Sequence, residues 1–84
     1  MSMTQQFEDA QARVKRLTTS PSNADLLELY ALYKQGAVGD VQGDRPGRLD
    51  FRNRAKYDAW AAKRGLATDA AMAQYIALVQ RLGA

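Results

Sequence analysis

In four stretches of this chain apolar side chains recur at steps of three and four residues, and turn-forming residues stand between the stretches. That period places them on one side of an α-helix, so the chain reads as four amphipathic helices. The first is expected from about Thr4 to Leu17, with Met3, Phe7, Ala10, Val14 and Leu17 on one face, and Thr18-Thr19-Ser20-Pro21 breaks it. Ser22 is placed to cap a second helix from Asn23 to about Val38, with Asp25 favouring the positive end of its dipole. Gly39 closes that helix. The twelve residues from Gly39 to Asp50 hold three glycines and a proline and read as a loop. In so small a domain, an aperiodic stretch of this length is expected to be functional or tied down. A third helix is expected from near Arg52 to Gly65, which suits a left-handed C-terminal position. Thr68 is expected to cap the fourth, whose stripe is Met72, Tyr75, Ile76, Val79 and Leu82, fading at Gly83.

Composition narrows the fold and the chemistry together. A chain of 84 residues has room for one core, so residues 1–84 form a single domain. Ala and Leu supply 24 of its 39 apolar residues, and only nine residues are β-branched, which favours an all-α fold. Neither Cys nor His is present. Disulfides, the usual zinc sites, thiolate nucleophiles and Ser-His triads are thereby excluded, and no metal site or catalytic residue is expected. The net charge of +3 is unevenly spread: the window from Arg45 to Arg64 carries +5 and the rest of the chain −2. A local basic patch fits an anionic partner, although solvated helix faces produce the same pattern. No apolar run is long enough to span a membrane, so no stable membrane insertion is expected. The start MSMTQQFEDA has no basic segment followed by an apolar one, and the expected compartment is the cytoplasm.

Polar groups in the apolar stripes carry the functional signal. On the second helix, Leu27, Tyr30, Ala31, Lys34 and Val38 fall within about 100° of one another, which puts a lysine inside an apolar stripe. Two readings stand: Lys34 snorkels past the surface, or it meets a ligand. With Tyr30 one turn away, phenol and ammonium together suit a phosphate. Tyr33, beside Leu26 and Ala37, either packs as core or stacks on a base. On the third helix Arg52, Lys56 and Lys63 form a basic ridge beside Trp60, while Ala55, Ala59 and Ala62 form a stripe that permits close packing. Tyr75 on the fourth helix is positioned to face that ridge, and Lys15 flanks the first helix's stripe.

Taken together, the sequence Leu29-Tyr30-Ala31-Leu32-Tyr33-Lys34-Gln35, then Val38-Gly39-Asp40, Pro46-Gly47 and Ala55-Lys56-Tyr57-Asp58-Ala59-Trp60, closely resembles the acyl-CoA-binding protein family. The likeness runs from Phe7 to Leu82. It implies a four-helix bundle of up-down-down-up topology, with a long loop between helices 2 and 3, that binds medium- to long-chain acyl-CoA and catalyses nothing. By the resemblance, Tyr30, Lys34, Lys56 and Tyr75 hold the 3′-phosphate and its surroundings, and Tyr33 stacks on adenine. Lys15 and Arg52 add contacts to the CoA moiety, and Leu27 and Ala10 lie near the acyl chain. The implied protein is a monomeric carrier and buffer without a cofactor. Three features depart from the pattern: Tyr57 stands where many relatives have Trp, Gly36-Ala37 replaces the common Ala-Thr pair, and the chain lacks a basic tail. Gly36 is expected to weaken the last turn of its helix by up to about 1 kcal/mol.

Two other classes of function deserve comparison. A helical module binding nucleic acid through the Arg45–Arg64 window predicts steeply salt-dependent association with DNA or RNA, and no nucleic acid is expected as partner. An enzyme acting on acyl-CoA lacks a His base, and Asp40, Asp44 and Asp58 are expected in capping or ion-pair roles.

Overall fold

The computed structural model describes residues 2–84. Four helices make up the fold, α1 (Met3–Val14), α2 (Asn23–Ala37), α3 (Phe51–Ala61) and α4 (Thr68–Arg81), with no strand among the described residues. A reciprocal cap starts α1: Ser2 Oγ accepts from Gln5 N–H, and Gln5 Oε1 accepts from Ser2 N–H. Ser22 Oγ accepts from Asp25 N–H and caps α2 as expected. Thr68 does not cap α4. It lies inside the helix, and the capping position belongs to Ala67, which has no side-chain acceptor, so Asp69 in the first turn is the favourable charge there. Both α1 and α3 end before the pattern suggests, at Val14 and Ala61. Gly65 adopts φ of +89°, the left-handed conformation expected of it, and Gly39, which closes α2, does so too at +97°.

Side-chain contacts fix the helix directions. Phe7 meets Tyr75 in the first half of α1, and Arg13 reaches the backbone oxygen of Ala84 past the end of α4, so α1 and α4 run parallel. Asp25 pairs with Arg81, whereas Gly36 lies against Met72, so α2 and α4 are antiparallel. Leu27 shares a wall with Arg52, and Lys34 meets Trp60, so α2 and α3 run parallel. The result is up-down-down-up. In space α4 packs on α1 and α2, and α3 packs on α2. The domain is flattened, 39 × 29 × 15 Å, and its radius of gyration of 12.9 Å slightly exceeds the roughly 12 Å of a typical domain this size.

The core draws on three helices. Phe7, Ala10, Leu29, Leu32, Tyr75, Leu78 and Val79 are buried together, with Val14, Leu66, Met72 and Ile76 packed around them. By contrast α3 buries one residue, Trp60, whose Nε1–H donates to Gly39 O at 2.7 Å. The long loop is tied to α3 by two further links: Arg45 forks onto Asp58 at 2.7 and 2.8 Å, and Tyr57 Oη donates to Gly43 O at 3.0 Å. The two hydrogen bonds donated by Arg45 hold the Asp58 carboxyl below its ordinary range.

One buried polar residue escapes the sequence pattern. Gln35 is 1% exposed, and its Nε2 donates to Asp40 Oδ1 at 2.9 Å and to Leu66 O at 2.8 Å. Asp40 Oδ1 also accepts from Gly65 N–H at 2.8 Å. One amide and one carboxylate therefore pin the end of α2 to the turn that leads into α4. The Gly65 N–H, then Gln35, lower the pKa of Asp40 from the usual carboxylate value.

Candidate functional site

Two adjoining clefts flank α2. The first, about 300 Å³, is walled by Val14 and Lys15 at the end of α1, Leu29, Tyr30 and Tyr33 on α2, and Tyr75 on α4. The second, about 470 Å³, lies between α2 and α3, walled by Leu26, Leu27, Phe51 and Ala55, with Arg52 and Lys56 on its α3 side. They meet where Lys56 Nζ of the second cleft stands 5.3 Å from the ring centre of Tyr30 in the first. One cleft is rich in phenols and the other in hydrocarbon.

Parallel packing of α2 and α3 produces this arrangement. Tyr30 and Lys34, one turn apart, face α3 and are half-buried. Lys34 Nζ lies 4.8 Å from the ring centre of Trp60, a cation–π contact rather than an ion pair. Tyr33 points to the other side, where its ring stacks on Phe7 at 6.1 Å and 25°. Phe7 also meets Tyr75 edge-on at 5.2 Å, so a single α1 ring positions two of the phenols. Burial, and next the neighbouring Tyr33, push the Tyr75 phenol above its ordinary pKa, which keeps it a neutral hydrogen-bond donor at physiological pH.

The ion pairs distinguish committed cations from free ones. Among the described residues four pairs occur, Arg13–Asp9, Arg45–Asp58, Lys63–Glu28 and Arg81–Asp25. Lys15, Lys34, Arg52 and Lys56 form no ion pair with any of the described carboxylates. Lys63, read from the sequence as part of one ridge with Arg52 and Lys56, instead lies beyond the end of α3 and donates to Glu28 at 2.9 Å. The basic window is thus divided, with Arg45 and Lys63 already neutralised. A third groove of about 250 Å³ between α2 and α4 is walled by Glu28 and Arg81, whose charges are likewise paired.

Of the residues singled out by sequence, Lys15, Tyr30, Tyr33 and Tyr75 share the first cleft and Leu27, Arg52 and Lys56 the second, with Lys34 beside Trp60. Ala10, expected near the acyl chain, is 1% exposed and packs in the core. The stripe spacing gives no sign of Phe51 as a cleft wall, because it stands where the loop turns into α3. Its neighbour Asp50 caps nothing and accepts instead from Asn53 Nδ2.

Residues 4–79 match the family model described as acyl CoA binding protein. An acyl-CoA-binding protein homolog of Caenorhabditis elegans is 56% identical over 80 residues, covering 95% of this chain and 93% of that protein. The acyl-CoA-binding protein of Brassica napus is 51% identical, covering 98% and 89%. The crystal structure of Oryza sativa acyl-CoA-binding protein 2 superposes with a TM-score of 0.91 at 42% identity, covering 95% of this chain and 87% of that one. A chain so matched in sequence over nearly its whole length, and in the arrangement of its four helices, belongs to the acyl-CoA-binding protein family.

Proposed function

We propose that this protein binds medium- to long-chain fatty acyl-CoA without catalysis and serves as a monomeric cytoplasmic carrier and buffer of it. The observation that carries the reading is the junction of a phenol-lined cleft with a hydrocarbon-lined one, bordered by Lys15, Arg52 and Lys56, with Lys34 one turn from Tyr30, none of which forms an ion pair among the described residues. An acyl-CoA has the complementary make-up, anionic at the nucleotide and apolar at the chain. Tyr30, Lys34, Lys56 and Tyr75 surround the 3′-phosphate, the lysines giving charge and the phenols directional hydrogen bonds. Tyr33 offers its exposed ring to adenine, and Lys15 and Arg52 meet further parts of the CoA moiety. Leu27 lines the path of the chain, between α2 and α3. The names of the relatives, acyl-CoA-binding proteins in worm, plant and insect, support the same ligand.

Magnitudes favour the thioester over its head group. Each buried methylene contributes up to about 0.8 kcal/mol, so ten of them supply roughly 8 kcal/mol before ordering costs. Calorimetric titration with palmitoyl-CoA is expected to saturate at micromolar concentration or below, and free CoA to bind far more weakly. Absence of saturation with palmitoyl-CoA refutes the reading. Incubation with the thioester is expected to release no free thiol, since His and Cys are absent and Asp40 and Asp58 are engaged in structural hydrogen bonds.

A further inference from the structure

Two large apolar side chains bury very little: Leu49 is 89% exposed and Phe51 75%. Leu49 lies in the turn before α3 and Phe51 opens that helix, where it forms the rim of the second cleft with the partly exposed Leu26. Arg48, Arg52 and Arg54 alternate with them along the chain, none in an ion pair among the described residues, although the charge of Arg54 also acts on Asp58. Residues 48–56 carry a net charge of +3, and their one carboxylate, Asp50, accepts from Asn53. None of these side chains anchors the loop, a task carried by Arg45, Tyr57 and Trp60. Single exposed apolar residues are ordinary, but a pair of them beside arginines of which Arg48 and Arg52 are exposed marks an interaction surface. Its chemistry fits a bilayer with anionic headgroups, where leucine and phenylalanine enter the headgroup boundary and arginines reach the phosphates.

We propose that this end of α3, with Leu49 and Phe51 at its tip and Arg48, Arg52 and Arg54 around them, docks on anionic lipid bilayers and sets the mouth of the second cleft against the membrane. Phe51 and Arg52 also wall the second cleft, so the surface adjoins the proposed ligand site, whereas Leu49 and Arg48 lie outside that wall and separate docking from ligand binding. The test is co-sedimentation of the unliganded protein at low salt with vesicles of pure phosphatidylcholine, or with about a third phosphatidylserine added. Partitioning is expected to be about ten-fold higher on the anionic vesicles and to fall as salt rises. Leu49→Ser and Arg48→Glu should each lower it several-fold while titrating with palmitoyl-CoA like the wild type. Equal partitioning on both vesicle types, or variants that pellet like the wild type, overturns the proposal. A dimer in solution that Leu49→Ser dissociates assigns the patch to a second copy and overturns it too. Vesicle binding that persists in a protein found not to bind palmitoyl-CoA upholds the docking surface and refutes the ligand reading alone.

Discussion

Helix α2 presents two unlike faces. Toward α1 and α4, Leu29, Leu32, Gln35 and Gly36 are buried, and every polar hydrogen of the Gln35 amide that is bonded serves to join segments of the fold. Toward α3, Leu27, Tyr30 and Lys34 are only half covered, and Val38 is 45% exposed. The first face holds the domain together. On the second, apolar surface and charge stand side by side without neutralising partners, an arrangement that stabilises little in the free protein and leaves its groups available to something else. Packing thus concentrates on one side of α2 and unpaired polar groups on the other, although Leu29 and Tyr33 wall the first cleft from the packed side.

The sharpest way to break this division is Leu32→Ala. Leu32 is 2% exposed in the core, so truncation is expected to cost about 2–5 kcal/mol and to lower the melting temperature by on the order of 10 °C. Affinity for palmitoyl-CoA per folded molecule should stay within about two-fold, since no ligand-facing group changes. The complementary test is on the other face. Lys34→Ala is expected to weaken palmitoyl-CoA binding by on the order of 10–100-fold, and Tyr30→Phe by about 3–10-fold, each with a melting curve close to wild type. Wild-type affinity in both variants would place the nucleotide elsewhere.

Acid sharpens the comparison further. Asp40 and Asp58 are both held below their unfolded pKa, so their links stabilise the fold above the ordinary carboxylate range of about pH 4 and are lost as pH falls through the lowered folded values. Melting temperature measured against pH should therefore drop on the acid side, and Asp40→Asn should flatten that drop while lowering stability at neutral pH. An unchanged acid limb would show that Asp40 contributes nothing through its charge. The smallest effect is expected at Gly36→Ala. Helix propensity favours Ala by up to about 1 kcal/mol, but a Cβ there would stand 3.1 Å from both Phe7 Cζ and Met72 Cγ. With the two terms opposed, the net change should be under about 1 kcal/mol in either direction, read from denaturant midpoints.

Much of this was legible in the residues, and the exceptions have physical causes. The caps and breakers Ser22, Gly39 and Gly65 act through local backbone geometry, so their roles could be read directly. The apolar stripe Leu27, Tyr30, Ala31, Lys34 and Val38 is real as a spacing, but only Ala31 of the five is buried. Because α2 packs against helices on two sides, it is apolar over most of its circumference, and periodicity alone cannot single out the face that carries the core. Gln35 is illegible for another reason: of its partners Asp40 follows five residues on but Leu66 stands thirty-one residues away, and only the folded structure brings the three together. Lys63 misleads because the helix stops at Ala61, which turns its side chain toward Glu28 instead of along the ridge. For the candidate site, motif and spacing pointed to the residues that the fold gathers around the two clefts, whereas the Phe7 ring that positions Tyr33 and Tyr75 emerges only from the packing of α1.

The placement of Lys34 over Trp60 has a practical consequence. Trp60 is the chain's single tryptophan, so all indole emission originates beside that ammonium group. Any anion that draws the Lys34 side chain away changes the electric field at one fluorophore, and the protein carries its own optical gauge of occupancy without an added dye.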